Sequence, residues 1–458
     1  MSDDPPATGP PGRTGPPPRQ ATFSDLFAIA EFRSLYLALT LSWLGDYLAR
    51  AAITVLVYQR TGSALLSAAS LSLSFLPWIV GGPLLTALAE RYPYRQVMIL
   101  CDLGRMGLVC LILLPGLPIA GMFVLLVLGA LLNAPAQAAR SALLPIILTR
   151  DRLVFGMAVN ASTSQAAQVL GYLAGATLAT AFSPRLVLAA DAVSFGLSAL
   201  LIARGVLARP AAVGPGKRRH LLRETAEGFS MVFGNRLLRQ VAVLVFALML
   251  FAIVPEGLAA AWVAETYPDG QRQGLSQGLI MSAIPVGFIV GGLVIGRLVP
   301  PARRPGLIRP LAVVAPLALV PVLAGPPPPV VALLAVVTGF AVAGLLPVLN
   351  GLFVLALPHG YRARAFGVMQ GGMQITQGVA ILLTGLLAEH FSVPSVVGAW
   401  SLGGAVLMLF VAARWPGADA FDAAIAAADE ASPDATRVTP APRDDVMSPP
   451  PAAGRMER

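Results

Sequence analysis

From Phe32 to Arg414 the chain is a succession of apolar stretches, each of helix length, separated by short breaks that carry arginine. The first run from Leu35 to Tyr58, Leu65 to Leu88 and Val97 to Leu114. A helix rises about 1.5 Å per residue, so about 20 predominantly apolar residues cross the hydrocarbon core of a bilayer. Hydrophobic residues make up 56% of the chain and charged residues 12%. Soluble domains carry about twice that share of charge, and this little could not cover their surface. The pattern implies an all-α membrane protein.

The apolar pattern predicts twelve transmembrane spans, at 35–58, 65–88, 97–115, 120–138, 155–179, 187–207, 240–263, 276–299, 308–325, 330–356, 365–388 and 395–414. The ninth is interrupted by Pro310, Pro316 and Pro321. Arginine then sets direction. One set of alternate loops holds Arg91 and Arg95; Arg140, Arg150 and Arg152; Lys217, Arg218, Arg219, Arg223 and Arg236; Arg303 and Arg304; Arg362 and Arg364. The other set holds Arg60, Arg185 and Arg272. Positive charge stays inside, so the rich set and both termini are expected in the cytoplasm of a multi-pass cell-membrane protein. The expected division is a disordered tail at 1–21, a six-helix half at 22–207, a cytoplasmic linker at 208–239, a second six-helix half at 240–414 and a disordered tail at 415–458. A DAFDAAIAAA patch in the last tail is weakly amphipathic. Trp262 and Trp400 fall near outer boundaries and Trp415 at an inner one, where interfacial anchoring is expected.

The net charge of +9 would suit nucleic acid only if it were gathered on one face, and it is spread through alternate loops instead. No nucleic-acid partner is expected. Cys101 and Cys110 lie nine residues apart in one predicted helix, about half a turn out of phase and about 13 Å apart along its axis, so they cannot bridge each other. Neither a metal site nor any other cofactor is expected. The sequence VGPGKRRH lacks the spacing and the Ser or Thr of a phosphate-binding loop, so an ion gradient or the substrate's own gradient is the available energy source. No arrangement of nucleophile, base and orienter can be assembled, and the chain is not expected to be an enzyme.

Polar groups inside apolar spans are costly and mark function or pairing. Asp46 lies near the middle of the first span, and Arg50 one turn later can pair with it at i,i+4. Asp46 is either half of a structural pair or a substrate- or proton-binding group. Glu256, just after Pro255 in the seventh span, is the leading proton-carrier candidate, with a helix cap or lumen-facing polar role as the alternative. Asp102 and Arg105 form a second pair beside Glu90, Arg91 and Arg95, a set suited to a cytoplasmic gate or to a static helix-end network. Asp191, Asn160, Gln165, Gln168, Asn350, Gln370, Gln374 and Gln377 add polar groups along the spans. Helix packing is the default role for amides, and Asn350 is carried as a binding candidate. Gly171 and Gly175 permit a close helix contact. With few fixed charges and much Leu, Val, Ala and Phe, the implied cavity favours an amphipathic small molecule over a sugar or phosphate.

Three segments carry a family resemblance: FRSLYLALTLSWLGDYLARAAITVLVYQRTGSALLSA, ALAERYPYRQVMILCDLGRM and ADAVSFGLSALLI. In order and spacing they resemble the major facilitator superfamily, in its bacterial drug-exporter-like branch that includes macrolide efflux and enterobactin exporter proteins. The resemblance covers about residues 22 to 414 and implies two six-helix halves that alternate access to a central cavity. The family's loop between spans two and three has Gly, three residues, then Asp-Arg and further basic residues. Here Thr86 stands for the glycine, Glu90 for the aspartate and Tyr94 for an arginine, while Arg91 and Arg95 are kept. The resemblance implies that Glu90, Arg91, Arg95 and Asp102 serve an inward-face gate. The antiporter pattern Gly-Pro-x-x-Gly-Gly reads Gly171-Tyr172-Leu173-Ala174-Gly175-Ala176, which leans toward export. In GGLVIGRLVPPARR, Arg297 matches the second-half copy of the gate and Gly296 replaces its acid.

The sequence therefore predicts a monomeric secondary transporter in the lipid bilayer, exporting amphipathic molecules or drugs in exchange for protons. An uptake carrier or uniporter of the same architecture, or a non-transporting membrane receptor or assembly factor, are the alternatives.

Overall fold

The computed structural model describes residues 22–75, 92–148, 150–210, 221–268, 270, 272–357, 362–417 and 421. Helix is the only regular structure among them. A short α1 (Phe23–Phe27) is followed by α2 (Ala30–Thr61), α3 (Ala64–Ser72) with a 3-10 turn at Leu73–Phe75, α4 (Tyr94–Ile112), α5 (Ile119–Ile147), α6 (Arg150–Ala181) and α7 (Pro184–Gly205). Then come α8 (Leu221–Gly234), α9 (Arg236–Ala252), α10 (Val254–Thr266), α11 (Gln273–Leu298), α12 (Ile308–Leu317), α13 (Pro328–Leu355), α14 (Arg362–Leu387) and α15 (Val393–Ala413). Seven described segments are long and apolar enough to cross a membrane: Ile119–Ile147, Pro184–Gly205, Arg236–Thr266, Gln273–Leu298, Pro301–Ala324, Pro328–Leu355 and Val393–Ala413. The chain is a multi-pass, all-α membrane protein.

Local sequence explains the breaks. Gly62, at φ 63°, ends α2 in the left-handed conformation, and the Ser63 hydroxyl accepts from Leu66 N at 3.0 Å to start α3. Pro255 has no N–H to donate back to Phe251, so the long span from Arg236 divides at Ile253 into α9 and α10. The proline-interrupted ninth span is broken into a 3-10 turn at Pro301–Leu307, the short α12, and a second 3-10 turn at Val320–Ala324. The segment expected to be a linker contains a regular helix: α8 packs on α14 and α9, with Val232 fully buried.

Packing sorts the helices into two groups. Buried clusters drawn only from residues before 207 tie α1 to α7 together, and another drawn only from residues after 231 ties α8, α9 and α12 to α15. One cluster is mixed. It joins Ala51, Ala64, Ala68, Leu71, Tyr172 and Ala176 to Leu258, Trp262, Met281, Ile381 and their neighbours. The seam between the groups therefore lies at the end of the bundle that carries the Gly62 turn.

That seam is close-packed and polar at chosen points. A Cβ on Gly278 of α11 would sit 2.8 Å from Leu173 Cα of α6, and one on Gly385 of α14 would sit 2.8 Å from Ala68 Cβ of α3. Gln277 Nε2 donates to Thr54 Oγ1 at 3.0 Å, and the Ser72 hydroxyl donates to the Gly378 carbonyl at 2.9 Å. At the rim, Glu389 accepts from the Ser63 hydroxyl at 2.7 Å and from Leu65 N at 2.9 Å.

Tryptophan placement departs from the sequence expectation. Trp262 is 1% exposed and sits inside the mixed cluster rather than at a lipid interface. Trp400 donates from Nε1 to the Leu250 carbonyl at 3.0 Å, beside the break after Ala252, and Trp415 is also buried. These indoles fill gaps between helices, where the ring supplies a large buried area. Cys101 is buried, Cys110 is exposed, and both are free thiols. Tail residues 1–21, the middle of the expected linker, the end of the second span and all of the DAFDAAIAAA patch except Phe421 lie outside the described residues.

Candidate functional site

Six of the polar residues predicted inside the spans, Asp46, Arg50, Asp102, Arg105, Asp191 and Glu256, fall at two neighbouring places. The first lies within the first group, between α2, α4, α5 and α7. Arg105 of α4 forms an ion pair with Asp46 of α2 and lies over the Phe195 ring at 4.1 Å from its centroid. Arg140 of α5 reaches Asp102 at 3.3 Å, and the Ser198 hydroxyl of α7 donates to the other Asp102 oxygen at 2.7 Å. Asp191 of α7 lies beside them, 2% exposed. Asp46, Arg50, Arg105, Asn133 and Asp191 line one cavity.

This arrangement corrects two expected pairings. Asp46 takes Arg105 rather than Arg50, and Asp102 takes Arg140 rather than Arg105. An intrahelical pair would leave the remaining lone pairs of a buried carboxylate facing apolar neighbours. Partners from adjacent helices approach from separate directions, and satisfying buried polar atoms governs the choice.

The second place is on the seam. Arg50 makes no ion pair with Asp46 among the described residues, although the two interact electrostatically; its guanidinium lies 5.4 Å from the Tyr47 centroid and in electrostatic contact with Tyr172. Tyr47 and Tyr172 pack edge to face at 5.2 Å. The Tyr172 hydroxyl, on α6 in the first group, donates to Glu256 Oε1, on α10 in the second, at 2.5 Å. Tyr172 is 0% exposed and Glu256 4%. Glu256 occupies the first turn of the helix that restarts after the Pro255 break. Gly171 and Gly175 bring α6 against α2, where a Cβ on Gly171 would lie 2.5 Å from Tyr47 Cβ and one on Gly175 2.6 Å from the Leu48 carbonyl oxygen.

Sequence reasoning does not assign Tyr172, Arg140 or Ser198 to the site. Tyr172 has a signal: it stands where the antiporter pattern has proline, and the departure supplies the phenol that holds Glu256. The apolar pattern puts Arg140 in a loop, whereas α5 continues through Pro135 and Pro145 to Ile147 and carries it inside the bundle.

The expected gate residues divide. Glu90 and Arg91 lie outside the described residues, as does Thr86. Arg95 donates to the Ala203 carbonyl, one of the unpaired carbonyls at the C-terminal end of α7. Asp102, Arg105 and Arg95 all bond within the first group, so none of their described contacts crosses to the second. Asn350 is exposed on α13 and does not line the cavity at Asp46.

No three His, Cys, Asp or Glu side chains among the described residues are grouped as a metal would require. The Major Facilitator Superfamily model matches residues 35–327 and 276–442. The chain belongs to the Major Facilitator Superfamily. That superfamily is a class of membrane transporters rather than of enzymes. It is similar to the enterobactin exporter EntS of Shigella boydii serotype 4 (strain Sb227), 27% identical over 292 residues, and to the EntS of Escherichia coli O139:H28 (strain E24377A / ETEC), 27% identical over 293 residues. Each match covers 60% of this chain and 65% of the relative, which is less than two thirds of that protein's length. Among solved structures it resembles the nucleoside transporter NupG, with a TM-score of 0.64, 16% identity, 85% of this chain and 98% of that one. The peptide transporter POT in complex with sulfate gives 0.67, 14% identity, 89% and 97%. At such identity these two likenesses concern the fold alone.

Proposed function

We propose that this superfamily member is a proton-coupled exporter of amphipathic small molecules, of the drug-exporter-like branch, with twelve spans in two six-helix halves and both termini in the cytoplasm. The observation that carries the reading is the Tyr172–Glu256 hydrogen bond, a buried carboxylate of one group held by a donor of the other. The loop arginines favour an outer position for the Gly62 turn, and in this reading the packed seam serves as the outer seal of an inward-facing state. A substrate then enters from the cytoplasmic side. Opening the outer seal separates α6 from α10 and removes Tyr172 from Glu256. The freed carboxylate takes a proton from outside as the substrate leaves. Closure returns Tyr172 and Arg50 to Glu256, and the proton departs inward. Glu256 is the coupling group in this cycle, while Asp46 and Arg50 are the substrate- or proton-binding groups in the cavity beside it.

Apolar surroundings with a few charged groups suit an amphipathic substrate, since each polar group of a sugar would need its own partner. The similarity to exporters named for enterobactin supports the outward direction. The test is flux of a panel of amphipathic compounds in vesicles of purified protein, with and without an imposed pH gradient. Glu256→Gln should fold and retain counterflow exchange of unlabelled for labelled substrate, yet lose gradient-driven accumulation. Undiminished gradient-driven flux in that variant would remove Glu256 from coupling, and accumulation in the opposite sense would identify an uptake carrier.

A further inference from the structure

Buried charge in the first group of helices is unevenly partnered. Asp102 has Arg140 and Ser198, and Asp46 has Arg105. Among the described residues the one hydrogen-bond donor to the Asp191 carboxylate is the Ser194 hydroxyl, 3.4 Å from its Oδ1, and that hydroxyl makes its better bond, 2.8 Å, to the Asp191 carbonyl. Among the described residues no cation lies within ion-pair distance of Asp191. In the same cavity Arg105 has the complementary defect: its Nη1 is buried and has no acceptor, while Nη2 holds Asp46.

Gly45 creates this juxtaposition. A Cβ at Gly45 would sit 2.5 Å from Asp191 Oδ1, so α7 seats that carboxylate against the α2 backbone one residue before Asp46. The packed elements differ in the charge they bring. From α2 come Asp46 and Arg50, and from α4 comes Arg105, with Asp102 one turn away and matched by Arg140 of α5. At this level α6 turns Tyr172 toward Glu256 and brings no charged side chain. Arg140 is on Asp102; Arg50 lines the same cavity and acts electrostatically on Asp46, Asp191 and Glu256, but among the described residues it makes no ion pair with any of them, so Arg105 is the one cation in ion-pair contact with the Asp46 and Asp191 set.

We propose that Asp46 and Asp191 form a two-carboxylate proton site that shares Arg105. One proton and one guanidinium neutralise the pair in either of two arrangements. With Arg105 on Asp46, the proton is on Asp191. When the proton passes to Asp46, the guanidinium is released and its free Nη1 edge turns to Asp191. Both arrangements are electroneutral, so the exchange moves a proton within the helix group without leaving an unpaired charge in the bilayer. Its use in transport rests on the proton-coupled reading above, as a relay station separate from Glu256.

The experiment is infrared difference spectroscopy of the purified full chain in lipid nanodiscs, with 13C-labelled aspartate to separate Asp from Glu signals. Wild type at neutral pH should give an aspartic acid carbonyl stretch that Asp191→Asn removes and Glu256→Gln leaves in place. Asp46→Asn should also remove it, because Arg105 is then free to pair with Asp191. An aspartic acid band that persists in Asp191→Asn, or one that survives in Asp46→Asn, overturns the shared site. Absence of that band in wild type overturns it as well, and needs no variant to fold. Vesicle flux distinguishes the two readings: a band without gradient-driven flux defeats the export cycle and leaves the proton site, whereas flux without the band does the reverse.

Discussion

The Tyr172 hydroxyl meets Glu256 Oε1 at 2.5 Å across the seam between the two helix groups, with both side chains almost fully buried. The phenol is on the last third of α6 and the carboxylate is in the first turn of α10, so the bond exists only while the seam is closed. A change at either residue should therefore act on the balance of conformations as well as on the local hydrogen bond.

Tyr172→Phe keeps the ring against Tyr47 and removes only the donor. A buried acceptor left without its donor costs about 1–3 kcal/mol, so the closed seam should lose about that much relative to the open one. Spin labels on the ends of α2 and α11 that flank the seam should report a larger share of long distances. In a double-mutant cycle with Glu256→Gln the two effects should be non-additive. Additivity within about 0.5 kcal/mol would mean that the pair carries no coupling.

Much of the helical framework was legible in the sequence because apolar runs of helix length have few alternatives in a bilayer. The break before Glu256 was legible too, since Pro255 has no N–H. The partners were not. Spacing along one helix suggested Asp46 with Arg50 and Asp102 with Arg105, but in both cases the cation comes from another helix. One sequence does not register helices against each other, and the choice depends on which helix pairs approach at glycine. Gly45 is an example: its missing side chain lets Asp191 lie against α2, and nothing in the local pattern distinguishes it from other glycines in apolar spans. Trp262 failed for a related reason, because proximity to a predicted boundary does not reveal whether a face meets lipid or another helix.

Arg140→Ala should destabilise the protein without altering its conformational balance. The arginine is 5% exposed, and its loss would leave the Asp102 carboxylate, 0% exposed, with only Arg105 nearby and Ser198 bonded. Breaking a buried pair by removing one partner costs about 3–5 kcal/mol. Thermal unfolding in detergent should move down by several degrees, with distances across the seam unchanged in the folded fraction. A gate role for this pair would instead shift those distances at little cost in stability.

The rim contact has a pH dependence with a definite sign. Glu389 is exposed between α14 and α15, and hydrogen bonds from Leu65 N and the Ser63 hydroxyl hold its carboxyl below the usual carboxylate value. A group lowered in the closed state adds to closure above the pKa it has when released, and the contribution fades as pH falls through the lowered value. Its share of closure should thus be constant from about pH 5 to pH 8 and decline only below about pH 4. Glu389→Ala should reduce the closed population by the same factor across the upper range and abolish the acid decline attributable to this residue. A step near neutrality that Glu389→Ala removes would contradict the assignment.

Gly278 provides the most direct control of the seam. A Cβ there would lie 2.8 Å from Leu173 Cα and 3.0 Å from its carbonyl oxygen, and both atoms belong to the α6 backbone, which cannot yield as a side-chain tip can. Gly278→Ala should therefore hold α11 away from α6, shift the distance distribution toward the open seam, and lower counterflow and gradient-driven flux together. Gly296 is on the same helix, is exposed, and has nothing within 4 Å of its virtual Cβ. Gly296→Ala should keep the wild-type distribution and raise thermal stability slightly, because alanine favours a helix interior over glycine by about 1 kcal/mol. If both alanines shift the seam equally, helix propensity rather than close approach governs the result. If neither does, the α6–α11 contact does not limit closure.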